Sequence, residues 1–235
     1  MKIIVISITQ YKEKDGIINA ISEEGAITFL ARGIFDPKNK NAGINNNLVI
    51  ADIELSEGNF KYPTLKTCSI LLTPMSVNNS LEKLASIMAI AEATKSLVQD
   101  EEKGMLFDSL LGAVTSIKTD KDPYMTLLIY LARVLKATGY EFEVNECVFC
   151  GSKKDIITFS FKDGGFVCRN CMNEDTEKDL SNDQMLLLRS AFNTPDYLKT
   201  SQYYTKENSI VVLNKFFEFI SDSYGVNLKS VSLIK

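Results

Sequence analysis

Hydrophobic and polar residues alternate through the first third of the chain, and short polar clusters interrupt the alternation. IIVISIT from Ile3, IINAI from Ile17, AITFLA from Ala26, NLVIADIEL from Asn47 and KTCSILL from Lys66 are rich in β-branched side chains. A two-residue period with that composition predicts strands that bury one face. Asp15-Gly16, Glu24-Gly25, Asp36-Pro37, Asn45-Asn46-Asn47 and Glu57-Gly58 separate the runs, and these residue types favour turns. Five strands within residues 1–77 predict a small closed barrel, for which the five-stranded OB-fold is the natural candidate.

From residue 79 the period lengthens. Ser80 precedes LEKLASIMAIAEATKSLV, whose apolar positions 81, 84, 87, 88, 91, 97 and 98 follow helical spacing. Gly104 restarts the chain into MLFDSLLGAVTSI. Asp122-Pro123 opens PYMTLLIYLARVLKAT, with Pro in the first turn and Gly139 just past the end. This third segment is apolar on nearly every side, which predicts the central helix of a bundle. Ser181 and Gln184 form a capping-box pattern ahead of MLLLRSAF. A last helix is expected over residues 209–224, closed by Gly225. The expected fold class is therefore α+β and multidomain. An N-terminal OB-fold barrel (residues 1–78) precedes an α-helical domain (79–235), with Asn78-Asn79 as the boundary.

Inside the helical part lies a different chemistry. Cys147 and Cys150 are two residues apart, as are Cys168 and Cys171, with seventeen residues between the pairs. That is a four-cysteine zinc spacing. Each C-x-x-C turn aims two sulfurs at one point, and a hairpin brings the two turns together, so four thiolates complete a tetrahedron. Gly151 suits the tight turn, IITFSF from Ile156 reads as a strand, Asp163-Gly164-Gly165 as a turn and Phe166-Val167 as the returning strand. The expectation is a zinc ribbon over residues 145–175, inserted in the helical domain, holding one structural Zn2+ per chain. The closed thiolate set leaves no open catalytic position. Two other readings stay open: a dithiol redox pair and a degenerate site that has lost its metal. Cys68, alone in TCSILL, reads as a small buried hydrophobe. Lys153, Lys154 and Arg169 beside the cysteines either offset thiolate charge or contact phosphates.

Composition narrows the chemistry further. The 235 residues contain no histidine, so imidazole bases, Ser-His-Asp relays and histidine-ligated metals are excluded. Neither a G-x-x-x-x-G-K-[ST] phosphate loop nor G-x-G-x-x-G occurs. A non-enzymatic role is the expectation, with no small-molecule substrate. MKIIVISITQ lacks the pattern of a signal peptide, and no apolar run reaches the roughly 18 residues needed to span a bilayer. A cytoplasmic location without membrane contact follows as an expectation, and it keeps thiols reduced. The net charge of −4 means that binding to a polyanion would need a local basic patch.

Barrel, bundle and four-cysteine hairpin, in that order, resemble the RecO family of bacterial DNA-repair proteins. Tyr11-Lys12-Glu13-Lys14-Asp15, Glu24-Gly25 and Ala31-Arg32-Gly33 resemble the family's N-terminal run, and Pro37-Lys38-Asn39-Lys40 sits at its basic loop. Gly139-Tyr140, Cys147-x-x-Cys150-Gly151 and Gly164-Gly165-x-x-Cys168-x-x-Cys171 are the most specific pieces. The resemblance implies a recombination mediator that binds single- and double-stranded DNA and anneals complementary strands. It also implies RecR and the acidic tail of single-strand-binding protein as partners in loading RecA, and a bacterial, nucleoid-associated setting.

For DNA contact the candidates are Lys12, Lys14, Arg32, Lys38 and Lys40, which read equally as solvated loop lysines and arginine. Phe29 and Phe35 are either stacking residues or barrel core. Arg133 is either a rim cation for the acidic tail or a structural tie. Residues 1–77 carry eight basic and eight acidic side chains, which predicts weak, salt-sensitive binding. The rival readings are a partner-binding adaptor with little DNA affinity, a C-x-x-C thiol oxidoreductase and an RNA-binding OB protein.

Overall fold

The computed structural model describes residues 1–56, 61–74, 80–119, 122–176, 178, 180–195, 197 and 203–234. Strands β1 (Lys2–Tyr11), β2 (Asp15–Ser22), β3 (Gly25–Ala31), β4 (Ile50–Ser56) and β5 (Thr64–Leu72) close into a barrel in the order β1-β2-β3-β5-β4. β1 lies antiparallel to both β2 and β4, and β3 meets β5 in parallel at Leu30 and Thr64. A three-strand meander closed by a parallel pairing is the OB arrangement that the strand count predicted.

The interior is filled by small and β-branched residues, among them Ile3, Val5, Ile18, Ala31 and Ile53, around one fully buried ring, Phe29. The outer wall is not all solvent-facing. Ile4, Ile6, Ile21 and Ile50 point outward and join the apolar core of the helices. β1 is thus buried on both faces from Ile3 to Ile6. That explains its unbroken IIVI run, since a strand covered on both sides gains from apolar residues at every position.

Helix α1 (Leu81–Leu97) begins where the Ser80 hydroxyl accepts the Lys83 amide at 3.3 Å, satisfying an N–H that has no partner in the first turn. The restart expected at Gly104 is a 3-10 turn, Lys103–Leu106, leading into α2 (Phe107–Thr119). Gly104 allows a close approach there, because a Cβ would lie 3.2 Å from the backbone of Gly25, tighter than ordinary contact. α3 (Pro123–Ala137) is buried from Pro123 to Ala132 and again at Val134 and Leu135. It is the central helix, and its Tyr130 hydroxyl shares a buried 2.5 Å hydrogen bond with Thr94. α4 (Asn182–Asn193) carries the capping box of Ser181 and Gln184. α5 (Lys206–Tyr224) starts three residues before the expected Ser209, because Thr205 caps the amide of Asn208. It ends at Gly225, with φ of 65°. The chain then returns to α1, where the Glu92 carboxylate accepts the amides of Lys229 and Ser230 and the Ser230 hydroxyl at 2.8–2.9 Å.

A second sheet, β6 (Glu143–Cys147), β7 (Ile156–Ser160) and β8 (Gly165–Cys168), has the order β6-β8-β7, with β6 parallel to β8. It is pinned to the helices by aromatic packing. Phe142 sits 4.9–6.1 Å, centroid to centroid, from Phe159, Phe161, Phe192, Phe216 and Phe219. Such contacts between rings add about 0.5–1.5 kcal/mol each beyond their buried area. No helix among the described residues is long and apolar enough to cross a membrane. The boundary expected at Asn78-Asn79 and the turn at Glu57-Gly58 lie outside the described residues.

Candidate metal centre and nucleic-acid groove

Cys147 ends β6 and Cys168 ends β8, so the parallel pairing of these strands sets two sulfurs side by side. The chain then turns after each. Gly151 N donates to Cys147 O at 2.8 Å with φ of 70° at Gly151, and Cys171 N donates to Cys168 O at 3.1 Å. These two knuckles return Cys150 and Cys171 to the same point. All four Sγ atoms lie within 4.8 Å of one another, and Cys150 Sγ is 3.7 Å from Cys168 Sγ. A tetrahedron with Zn–S near 2.3 Å has edges of about 3.8 Å, so the cluster has the size and the soft donors of a tetrathiolate metal site.

The electrostatics also call for a cation. Burial raises the Cys147 thiol, but the amides of Cys168, Cys150 and Phe149 and the Cys150 thiol together outweigh it and hold it at about 6. Cys171, hydrogen-bonded to Cys150, is pushed up to about 12, and Cys150 is raised too. One thiolate forms readily, and its charge opposes the next. A divalent ion at the centre removes that conflict. Cys68 lies elsewhere, half-buried against the barrel interior, and burial pushes its thiol up to about 11. It packs on the barrel core as a small hydrophobe, but it is less enclosed than the buried position expected.

The barrel carries a groove of about 610 Å3 on its β2–β3 face, between the β1–β2 turn and the β4–β5 connection. Its floor is Ile17 and Leu30, and its rim carries Lys12, Arg32 and Lys61. Tyr11 and Tyr62 also line it. Lys12 Nζ lies 5.3 Å from the Tyr11 ring centroid and Lys61 Nζ 5.3 Å from that of Tyr62, within cation–π reach. Asp15 anchors one wall by accepting the Gly33 amide at 2.8 Å. The strand 2–3 face with its flanking loops is where OB-folds take oligonucleotides, and aromatics with cations are the usual equipment for it.

The loop after β3 is fastened beside this groove. Phe35 N donates to Lys14 O at 3.1 Å, and Lys14 Nζ pairs with Asp36 at 3.0 Å. The Lys38 amide and the Lys14 ammonium hold the Asp36 carboxyl below its ordinary range. Lys38 and Lys40 are exposed on the same loop.

Residues 78–230 match the family described as Recombination protein O C terminal. The chain belongs to the RecO family. Curated RecO relatives extend the likeness through the barrel. The DNA repair protein RecO of Halalkalibacterium halodurans is 25% identical over 97% of this chain and 90% of its own length. That of Bacillus pumilus is 26% identical over 97% and 90%, and that of Mesoplasma florum 30% identical over 74% and 67%.

Within this RecO chain, Lys12 and Arg32 come together at the groove, while Lys14, Lys38 and Lys40 lie outside its lining. Phe29 is enclosed in the barrel and Phe35 packs half-buried against its interior, so both serve the core. Arg133 is a structural tie, with its guanidinium donating to Thr194 O at 2.5 Å. Sequence reasoning missed Tyr11, Lys61 and Tyr62. The available signal was a repeated pairing, Tyr11-Lys12 and Lys61-Tyr62, each beside a strand end. Lys153 lies 4.0 Å from Glu146, while Lys154 and Arg169 are exposed beside the cluster.

Proposed function

We propose that this RecO-family chain is a non-enzymatic recombination mediator in DNA repair. In this reading the barrel (residues 1–78) binds DNA, the helical domain (79–235) meets protein partners, and the hairpin over 145–175 holds one structural Zn2+ through Cys147, Cys150, Cys168 and Cys171. The observation that carries the DNA-binding part is the groove, where two tyrosines and three cations converge on the OB ligand face.

Annealing breaks no covalent bond. It needs two polyanions held close, with their repulsion offset, while their bases stay free to pair. Lys12, Arg32 and Lys61 supply the offset by displacing condensed counterions. Tyr11 and Tyr62 offer ring faces to bases. Lys38 and Lys40, on the loop tied to the β1–β2 turn, extend the track for single- or double-stranded DNA. Contacts with RecR and with the acidic tail of single-strand-binding protein, and assistance in loading RecA onto coated DNA, follow from the family resemblance. They fall to the helical domain in this reading.

A second reading, a partner-binding adaptor, is favoured by one observation: the basic and acidic side chains of residues 1–77 are equal in number, eight of each. Fluorescence anisotropy with a labelled single strand separates the two. Tyr11→Ala and Tyr62→Ala should each weaken binding roughly 5- to 150-fold, the range that corresponds to about 1–3 kcal/mol per stacked base. An affinity unmoved by both substitutions would remove the groove from the argument and leave the adaptor.

A further inference from the structure

The thiolate cluster has two unlike sides. Cys147 and Cys168 end strands of the sheet and are each 2% exposed. Cys150 is exposed and Cys171 half-buried, at the open side of the knuckles. Backbone support divides unevenly too. Cys147 Sγ accepts the Cys168 amide at 3.5 Å, and the amides of Phe149 and Cys150 also reach it. Cys150 receives the Ser152 amide. A sulfur with solvent access meets oxidants before one enclosed in the sheet. The Cys150 and Cys171 sulfurs lie within 4.8 Å of each other, so a modest shift of the two knuckles joins them.

We infer that Cys150 and Cys171 form an oxidant-reactive pair, which a peroxide converts to a disulfide with release of the bound ion, while Cys147 and Cys168 stay reduced. The inference rests on the metal reading above. The Cys150 thiolate, the most exposed of the four, attacks one peroxide oxygen, the O–O bond breaks and hydroxide leaves, giving a sulfenic acid. The Cys171 thiolate then attacks that sulfur and expels a second hydroxide as the S–S bond forms. Two electrons pass from the sulfurs to the peroxide, and two protons from solvent turn the hydroxides into water. The two remaining sulfurs no longer complete a tetrahedron, so the ion departs. The knuckles loosen, while the Phe142 ring cluster keeps the sheet on the helices.

The test uses the full chain with Cys68→Ser, which removes the fifth thiol. Metal content is measured first. Hydrogen peroxide is then added, ion release is followed with a chromogenic chelator, and samples are alkylated and mapped by mass spectrometry. The expected result is one ion released per chain in step with one Cys150–Cys171 disulfide, with Cys147 and Cys168 recovered as alkylated thiols. A first disulfide that includes Cys147 or Cys168, or an ion retained after both outer thiols are oxidised, overturns the inference. A chain purified without metal overturns the metal reading and, with it, the release. The order of alkylation of the four thiols then still decides whether Cys150 and Cys171 are the reactive pair.

Discussion

Neutralising the rim of the barrel groove by Lys12→Ala, Arg32→Ala and Lys61→Ala together should flatten the salt dependence of single-strand binding. The three cations stand on one rim and face one concavity, so a strand lying there meets all three. Each phosphate neutralised on a single strand contributes about −0.7 to the slope of log affinity against log salt, so three contribute about −2.1. A fourfold rise in salt, from about 50 to 200 mM, then weakens the wild-type chain about 18-fold more than the triple variant. The assay is anisotropy of a labelled oligonucleotide titrated at several salt concentrations, with the slope read from a double-logarithmic plot. Lys38→Ala with Lys40→Ala removes about another 1.4 from the slope if the strand continues over the neighbouring loop. Lys14→Ala should change it least, because Lys14 is already paired with Asp36 at 3.0 Å. A triple variant with the wild-type slope, or a wild-type chain indifferent to salt, refutes the electrostatic account of the groove.

Three further outcomes concern stability. Cys168→Ser, or a strong chelator, should lower the melting temperature and expose residues 147–176 to proteolysis, because Cys168 joins β8 to the cluster; an unchanged melting curve and cleavage pattern contradict a structural metal. Partial burial raises the Glu92 carboxyl, but the Ser230 and Lys229 amides and the Ser230 hydroxyl outweigh it, so its pKa is lowered on folding. Its stabilisation is thus present above the ordinary carboxyl range and lost as pH falls through the lowered value; Glu92→Gln should cost about 1–2 kcal/mol at neutral pH after solvent screening and less in acid, by urea melts. Phe142→Ala should cost about 3–5 kcal/mol by the same measurement, since it empties the centre of the ring cluster.

The barrel strands were legible because each run is punctuated by turn residues, and the register of the antiparallel pairs follows from which side of each strand is apolar. The helix starts at Leu81 and Asn182 were legible because Ser80 and Ser181 act within three residues of themselves. β6 was missed. EVNEC is mostly polar and too short to show a period, and it is a strand because its neighbour β8 offers it an edge. The metal cluster was readable from spacing, since a C-x-x-C turn constrains its own sulfurs. The aromatic part of the groove was not.

Along the chain, then, the residues themselves determined the barrel strands, the helix segments, their caps and the grouping of four thiols, because each depends on contacts a few residues apart or on one hairpin. Tertiary structure alone decided that Ile4 and Ile6 face the helices, that Phe29 points inward and that Arg133 ties down Thr194. It also brought Lys61 and Tyr62 beside Tyr11 and Lys12. The physical reason is closure: the β3–β5 pairing at Leu30 and Thr64 draws distant segments onto one face, and no local pattern of apolar and polar residues records which strand edges will meet.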